Sequence, residues 1–401
     1  MVEKMIKRML GLFGIVLALV IFNSTCPKVV AAPWQVGTPI ATYFCGPNIN
    51  DYFGNQYTAG NFNLVWVYGN DPVSQLDLAQ RYGLRAQLEA PILKESDALT
   101  NPVKKAAVDA LIASVKNHPA LYSYFIKDEP YATEFSWVGD MVAYLRTADP
   151  AHLAYVNLFP MGGNYAALGL PDPPAPGDPN DTWGAYAEYL HQFILQVNPA
   201  ILSFDRYHFY VDGDECEYFV NFRLIREAAM AAGIPFMTIT QACAWESNWR
   251  TPNVNEMRWE NYVALAYGAQ ALSYYVYSYP KTAGYPDGMM LNADNSTTPQ
   301  YAAAQELNPQ FVAVAAQLQP LCPQGYVYWD YLTDPWLWSC VLLPENAPFY
   351  LNWTGMSEPP AEGMLLSYFG RASDPNTPTH VLVVNLNYSS VAVKFSHKHC
   401  G

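Results

Sequence analysis

Short apolar runs alternate with longer amphipathic stretches from about residue 39 to residue 280. The runs are nearly continuous in apolar, β-branched and aromatic residues, which is typical of parallel strands covered by helices on both faces. Eight runs are therefore predicted to be strands: Ile40–Phe44, Leu64–Tyr68, Arg85–Ala90, Leu121–Lys127, Leu153–Phe159, Ile201–Tyr207, Phe236–Gln241 and Leu272–Tyr277. Apolar positions at helical spacing lie between them, predicting helices over Pro102–Asn117, Trp183–Val197, Tyr218–Ala232 and Asn255–Gln270.

Eight strand–helix units predict an α/β fold built as a (β/α)8 TIM barrel, with chemistry at the carboxyl ends of the strands. An open doubly wound sheet is the alternative, but no glycine-rich phosphate loop follows an early strand. Pro299–Leu321 is predicted to close the barrel as a helix. Shorter runs with turn residues between them then predict a small antiparallel β-sandwich. Its strands are expected at Gly325–Tyr331, Trp336–Leu343, Gly363–Phe369, Val381–Leu386 and Val391–Phe395.

The first residues predict export. Lys4, Lys7 and Arg8 precede a short apolar segment, and Ala31 and Ala32 supply a small-residue cleavage site. We therefore expect a signal peptide at 1–32, a catalytic barrel at 33–321 and an incomplete β-sandwich at 322–401, in a secreted, periplasmic or extracellular protein. A retained membrane anchor is the alternative, although the apolar segment is short for a membrane span.

Charge and cysteine content narrow the possible partners. Without residues 1–32 the chain has 34 acidic and 17 basic residues, a net charge of −17. This argues against nucleic acid or an anionic membrane as a partner and is compatible with a neutral substrate. Cys322 and Cys340 flank one predicted hairpin and are the expected disulfide pair. The chain has no paired CxxC spacing and no HExxH motif, so we expect neither a metal nor a cofactor.

The tripeptide Asp128-Glu129-Pro130 ends the fourth predicted strand. Proline disfavours a helical conformation at the residue before it, so Glu129 is expected to be extended. At the carboxyl end of a barrel strand, such a carboxyl group is suited to protonate a leaving group. A like charge at Asp128 is expected to raise the pKa of Glu129. The alternative is a turn that merely begins the next helix.

The other strand ends complete a ring of acidic, amide and aromatic side chains. Aromatic rings stack on the apolar faces of sugars, while carboxylates and amides bind hydroxyl groups. The ring therefore suits a carbohydrate, although any single ring is more often part of the core. The predicted substrate-binding residues are Glu89, Asp128, Asn157, Asp205, Tyr207, His208, Gln241, Trp245 and Tyr277.

Several of these segments resemble the retaining (β/α)8 glycoside hydrolases of the clan A type. The resemblance rests on 127–130 at strand four, 155–160 at strand five, 203–207 at strand six and 240–258 around strand seven, with 382–386 as a strand of the usual β-domain. It implies that Glu129 is the acid/base, with Asp128 in the position that is usually Asn. It also implies a nucleophilic glutamate after strand seven, where Glu246 is the nearest carboxylate, five residues past Gln241.

The expected function is hydrolysis of O-glycosidic bonds in a poly- or oligosaccharide, with Glu129 as acid/base and Glu246 as nucleophile. Glu89, Asp205 and Glu256 are the competing carboxylates, although Glu256 lies in the first turn of a helix, where carboxylates are usually structural. His208 is either a sugar contact or a core histidine. Two alternatives are a carbohydrate-binding protein on a degenerate barrel, and a hydrolase or lyase using Asp205 and tyrosines on an acidic sugar.

Overall fold

A computed structural model describes much of the chain. The described residues are 37–69, 71–162, 165–169, 179–214, 217–278, 290–292, 294–330, 341–344, 347, 351–352, 363–387 and 396–397. The predicted signal peptide at 1–32, the predicted strand at Val391–Phe395 and Cys340 lie outside these residues.

Within this part of the chain, strands and helices alternate as the sequence predicts. The strands are β1 (Ile40–Phe44), β2 (Leu64–Tyr68), β3 (Arg85–Glu89), β4 (Leu121–Asp128), β5 (Leu153–Asn157), β6 (Leu202–Asp205), β7 (Phe209–Tyr210), β8 (Gly213–Asp214), β9 (Phe236–Gln241), β10 (Ala271–Tyr275), β11 (Leu321–Asp330), β12 (Val341–Leu342), β13 (Leu351–Asn352), β14 (Met364–Arg371), β15 (Asp374–Asn385) and β16 (Ser396–His397). The helices are α1 (Asp51–Ala59), α2 (Pro72–Arg81), α3 (Pro102–Val115), α4 (Phe135–Ala148), α5 (Pro179–Val197), α6 (Tyr218–Ala232), α7 (Val254–Tyr267) and α8 (Pro299–Leu318).

Eight parallel strands follow one another around a closed ring. Two four-stranded parallel sheets have the orders β2-β3-β4-β5 and β1-β10-β9-β6. A parallel bridge between Leu158 and Phe204 joins β5 to β6. The amide N–H of Asn63 donates to the carbonyl of Ala41 over 3.0 Å and joins β2 to β1. The arrangement is a (β/α)8 barrel, whose seventh and eighth strands are β9 and β10.

Asparagine and glycine residues cap several of the helices. Asn50 accepts a hydrogen bond from the amide of Phe53 at the start of α1, and Asn253 caps α7 with Glu256 in a capping box. Gly233 ends α6 at φ 69° and Gly268 ends α7 at φ 101°. Both conformations are left-handed and favour glycine, so each helix stops where the next barrel strand must begin.

Aromatic rings fill the inside of the barrel. The Trp66 and Phe125 centroids lie 4.9 Å apart, those of Phe44 and Trp66 5.1 Å, and those of Phe125 and Tyr155 5.7 Å. All four side chains are 9% exposed or less. Such a packed interior is a rigid support, so groups at the carboxyl end of the strands are held in fixed positions.

After α8 the chain forms a mixed sheet of order β12-β11-β14-β15, in which β12 pairs parallel and the other pairs are antiparallel. The described residues show this sheet and the separate pair β13-β16, so the second layer of a sandwich stays a prediction. Arg226 of α6 joins the barrel to the tail by donating to the carbonyls of Tyr267 and Gln324 over 2.9 and 3.3 Å. Cys322 is disulfide-bonded. No helix in the described ranges is long and apolar enough to cross a bilayer.

Candidate active site

Glu129 lies at the carboxyl end of β4 in an uncommon backbone conformation. Its φ is 45°, in the left-handed region, so the predicted extended conformation is wrong. The Glu129 amide donates to the carbonyl of Asn157 on the neighbouring strand over 2.8 Å, which holds the chain in this turn against the preference set by Pro130. A non-glycine residue in this region costs about 1–3 kcal/mol and is typical of functional sites.

The Asn157 side-chain amide on β5 binds two carboxyl groups, one from β4 and one from β6. Asn157 Nδ2 donates to Asp205 Oδ1 over 2.9 Å and to Asp128 Oδ1 over 3.2 Å. Because both oxygens bond to the same nitrogen, the Asp128 and Asp205 oxygens lie at most about 6 Å apart. The charges of Asp205 and Asp128 both act on Glu129. The barrel therefore brings Asp128, Glu129, Asn157 and Asp205 together.

Burial and mutual repulsion favour protonation of this cluster. Desolvation, then the charges of Asp205 and Asp128, raise the pKa of Glu129 to about 8. Desolvation and the charge of Asp128 raise the pKa of Asp205 to about 7, against hydrogen bonds from Asn157 and Tyr207. The predicted effect of Asp128 on Glu129 is confirmed. Burial and repulsion therefore favour the protonated form of Glu129 near neutral pH.

Accessibility differs among the three acids. Asp205 is 7% exposed, Glu129 is half-buried and Asp128 is exposed to solvent. Desolvation nevertheless is the largest cause that raises the pKa of Asp128. Solvent therefore reaches the cluster from the side of Asp128.

No residue of β9 has a carboxylate at the strand's carboxyl end, where the resembled family has its nucleophile. The nearest described carboxylate there is Glu260 of α7, which is buried and accepts from the Gln241 amide over 3.3 Å. Gln241 is completely buried, and its side chain binds backbone on both sides. Its Oε1 accepts from the amide of Phe209 over 2.9 Å, and its Nε2 donates to the carbonyls of Phe209 and Arg250 over 3.0 and 2.7 Å. Gln241 therefore ties the segment after β6 to β9. Glu246 lies further along at φ 51°, is exposed, and is not among the charges that shift the pKa of Glu129.

Aromatic rings flank the acids on the side of β9 and β10. Trp245 and Trp249 are stacked with centroids 4.6 Å apart and planes 12° apart. The Tyr207 ring meets Trp245 edge-on at 4.6 Å and lies 5.4 Å from Tyr275. Tyr207 also hydrogen-bonds Asp205 through its side chain. These rings place an aromatic wall directly beside the carboxyl cluster.

The remaining predicted residues lie elsewhere or have other partners. Glu89 pairs with Lys94, which lies over the Phe125 ring. His208 is 6% exposed and stacks on Trp259 at 4.5 Å, in the manner of a core histidine. Tyr277 is fully buried, and its hydroxyl donates to Gln56 over 3.2 Å. Neither His208 nor Tyr277 has its ring in contact with the acids in the described contacts.

Sequence reasoning missed Ser203, Tyr155 and Trp249. Ser203 Oγ donates to Asn157 Oδ1 over 3.0 Å and lies 2.9 Å from the Tyr155 hydroxyl. The period-two alternation of strands could have indicated Tyr155 and Ser203, because 155 and 157 share one face of β5, and 203 and 205 share one face of β6. The described residues contain no group of three or more His, Cys, Asp or Glu side chains arranged to hold a metal.

Comparisons with known proteins gave only distant structural similarity. No family model and no curated protein matches the chain. A β-galactosidase from the psychrophilic Marinomonas ef1 is 10% identical, with a TM-score of 0.48 over 68% of this chain and 59% of that one. An endo-β-1,4-mannanase from Thermotoga petrophila is 11% identical, with a TM-score of 0.44 over 86% and 96%. A β-mannanase from the blue mussel Mytilus edulis is 14% identical, with a TM-score of 0.40 over 64% and 82%. Similarity of this degree assigns neither a reaction nor a substrate to the chain.

Proposed function

We propose that the protein is an exported glycoside hydrolase that cleaves O-glycosidic bonds in a poly- or oligosaccharide. The observation that carries the proposal is the carboxyl cluster of Asp128, Glu129 and Asp205 at the carboxyl end of a barrel, where burial and repulsion raise the pKa of Glu129 to about 8. A carboxyl group protonated at neutral pH beside an ionised one is the pair that glycoside hydrolysis uses.

Glu129 is the general acid in this mechanism. Its proton passes to the glycosidic oxygen as the bond to the anomeric carbon breaks, and the ionised Glu129 then accepts a proton from water in the second step. The net reaction adds one water molecule across the bond. Ionised Asp128 and Asp205 stabilise the positive charge that develops on the sugar ring.

Asp205 replaces Glu246 as the preferred second carboxylate. It points into the cluster, receives hydrogen bonds from Asn157 and Tyr207, and belongs to a rigid strand. Attack by Asp205 on the anomeric carbon gives a covalent intermediate and retention of configuration. Retention requires the Asp205 and Glu129 carboxyl groups to lie about 5–5.5 Å apart with the sugar between them.

The test is turnover on a panel of soluble mannan, xylan, β-glucan, galactan and chitosan, followed by reducing-end assays and NMR of the first-formed anomer. Glu129→Gln is expected to lose about 100- to 10,000-fold in kcat on the cleaved glycan, which is the usual contribution of a general acid. Glu134→Gln is the matched control, because Glu134 lies five residues further on and pairs with Lys127 over 3.0 Å. Full activity in Glu129→Gln would contradict the proposal.

Two further variants identify the second carboxylate. Asp205→Gly is expected to be inactive and to regain turnover of an activated aryl glycoside with sodium azide, forming a glycosyl azide of inverted configuration. Glu246→Gly is expected to keep activity. The reverse pattern would return the nucleophile to Glu246, and inversion in the native protein would exclude a covalent intermediate on either residue.

A carbohydrate-binding protein is the second candidate, and buried Gln241 at the end of β9 is the observation that favours it. Such a protein would bind a glycan by calorimetry and release no product in prolonged digests. Export is tested separately, by fractionating cells of the native host and sequencing the mature N-terminus; an intact N-terminus at residue 1 in the cytoplasm would contradict it.

A further inference from the structure

Asn157 contacts all three acids of the carboxyl cluster. Its side-chain nitrogen donates to Asp205 over 2.9 Å and to Asp128 over 3.2 Å. Its backbone carbonyl accepts from the Glu129 amide over 2.8 Å. No donor reaches the Glu129 carboxyl group from another described residue. The two aspartates are therefore hydrogen-bonded and the glutamate is not, although all three lie in one cluster.

Two buried hydroxyl groups, those of Ser203 and Tyr155, fix the orientation of the Asn157 side-chain amide. Ser203 Oγ donates to Asn157 Oδ1 over 3.0 Å, and the Tyr155 hydroxyl lies 2.9 Å from Ser203 Oγ. These three side chains are 2% exposed or less, so water does not replace the contacts. With Oδ1 occupied by Ser203, Asn157 presents only N–H groups to the acids.

An N–H donor favours the ionised form of the carboxyl group that accepts from it. Asp128 and Asp205 are thus favoured as anions, and their charge favours the neutral form of Glu129. Other charged or titratable groups face the cluster from neighbouring elements. They do not change which of the three acids is favoured in the neutral form. The charged groups are Glu89 and Lys94, which pair with each other, Lys127, which pairs with Glu134, and Arg206, which lies 3.7 Å from Glu217. The neutral titratable groups are Tyr155, Tyr186, Tyr189, Tyr207 and Cys45.

We infer that Asn157 is a positioning residue that directs the proton of the cluster to Glu129 by holding Asp128 and Asp205 as hydrogen-bonded anions. This role rests on the proposed function of Glu129 as the acid and differs from the sugar contact predicted for Asn157 from sequence. Asn157 contributes to catalysis through the acids and not by binding the reacting atoms.

The experiment counts protons directly and needs no substrate. The protein is labelled with 13C in the side-chain carboxyl groups of Glu or of Asp in separate samples, and carboxyl resonances are followed from pH 4 to 10. The resonance missing from Glu129→Gln identifies Glu129, and those missing from Asp128→Asn and Asp205→Asn identify the aspartates. A protein without turnover still gives this result, so failure of the inference is distinct from failure of the proposed function.

Asn157→Leu removes the N–H donors and keeps the backbone carbonyl that binds Glu129. The Glu129 midpoint is expected to fall by about one pH unit or more, a tenfold loss of proton affinity, while the aspartate midpoints rise. Ser123→Ala is the matched control, because it removes a buried hydrogen bond of 3.0 Å to Gln87 lower in the same barrel. It is expected to leave all three midpoints unchanged.

If Asn157→Leu does not fold, Ser203→Ala tests the same inference. It keeps Asn157 but frees its amide to turn its oxygen towards the acids, so the Glu129 midpoint is expected to fall in the same direction. A Glu129 midpoint that is unchanged in the folded variant overturns the inference. So does native protein in which either aspartate keeps its proton to higher pH than Glu129.

Discussion

Replacing Glu129 by Gln is expected to stabilise the folded protein at alkaline pH. Below about pH 4.5 the Glu129 carboxyl group is protonated in both the folded and the unfolded chain, so it imposes no penalty. As the pH rises from 4.5 to about 8, the unfolded chain releases its proton first, and the free energy of unfolding falls. Above about pH 8 the penalty is complete. Gln carries no charge at any pH, so the variant does not lose this stability.

The size of the effect follows from the shift in pKa. A rise from 4.5 to about 8 corresponds to about 5 kcal/mol if Glu129 alone carried it, at about 1.4 kcal/mol per pH unit. Asp205 shares the repulsion, and Glu129 is only half-buried, so we expect Glu129→Gln to raise the free energy of unfolding by about 2–4 kcal/mol at pH 9. At pH 4.5 the two proteins should differ by less than about 0.5 kcal/mol.

Urea unfolding monitored by tryptophan fluorescence at pH 4.5, 7 and 9 measures the difference. Glu134→Gln is the control, because Glu134 pairs with Lys127 over 3.0 Å and accepts from the Tyr131 amide over 2.8 Å. Its loss is expected to destabilise the protein at pH 7 and 9. If Glu129→Gln were no more stable than the native protein at pH 9, the reasoning that the Glu129 charge destabilises the folded state would be refuted.

Three other predictions follow from the site. The pH profile of kcat/KM is expected to be a narrow bell, falling below about pH 7, where Asp205 takes up a proton, and above about pH 8, where Glu129 loses its own; a flat profile from pH 5 to 9 would contradict these assignments. Gln241→Leu breaks three buried hydrogen bonds to backbone and is expected to lower the free energy of unfolding by about 2–4 kcal/mol in urea titrations, whereas a loss below about 0.5 kcal/mol would show that Gln241 is not a tether. Trp249→Ala is expected to raise KM for the cleaved glycan about three- to tenfold with little change in kcat in steady-state assays; an unchanged KM would remove Trp249 from the binding surface.

The strands of the barrel could be predicted from sequence because buried parallel strands are nearly continuous in apolar residues. The bounds of β1, β2 and β9 are as predicted. The strands predicted to end at Phe159, Tyr207 and Tyr277 end earlier in the structure, because aromatic residues follow the last residue that pairs with a neighbouring strand. The hairpin of β7 and β8 was missed, since two-residue strands have no period.

The candidate active site was only partly predictable from sequence, for a physical reason. Glu129 is marked locally by its neighbours Asp128 and Pro130. No neighbouring residue in the sequence singles out Asp205 in this way. Its proximity to Glu129 depends on the pairing of β5 with β6 and on which face of β6 points into the barrel. The sequence distance between Gln241 and Glu246 suggested a displaced nucleophile, whereas Asp205, the second carboxylate that we propose, lies on a different strand.

The energetics of the cluster favour an enzyme over a structural or purely binding role. Several carboxylates outside the cluster have cationic partners, such as Glu89 with Lys94 and Glu256 with Arg250 at 2.8 Å. Glu260 is an exception, because it is fully buried and accepts from the Gln241 amide without a cationic partner in the described contacts. Glu129 and Asp205 have no cationic partner among the described residues, and both lie where burial penalises their charge. Hydroxyl groups of a sugar could be bound by neutral amides without this cost. The acids without cationic partners and the left-handed backbone conformation of Glu129 both reduce the stability of the fold. They also keep a carboxyl group protonated at neutral pH, which is a property that proton transfer requires.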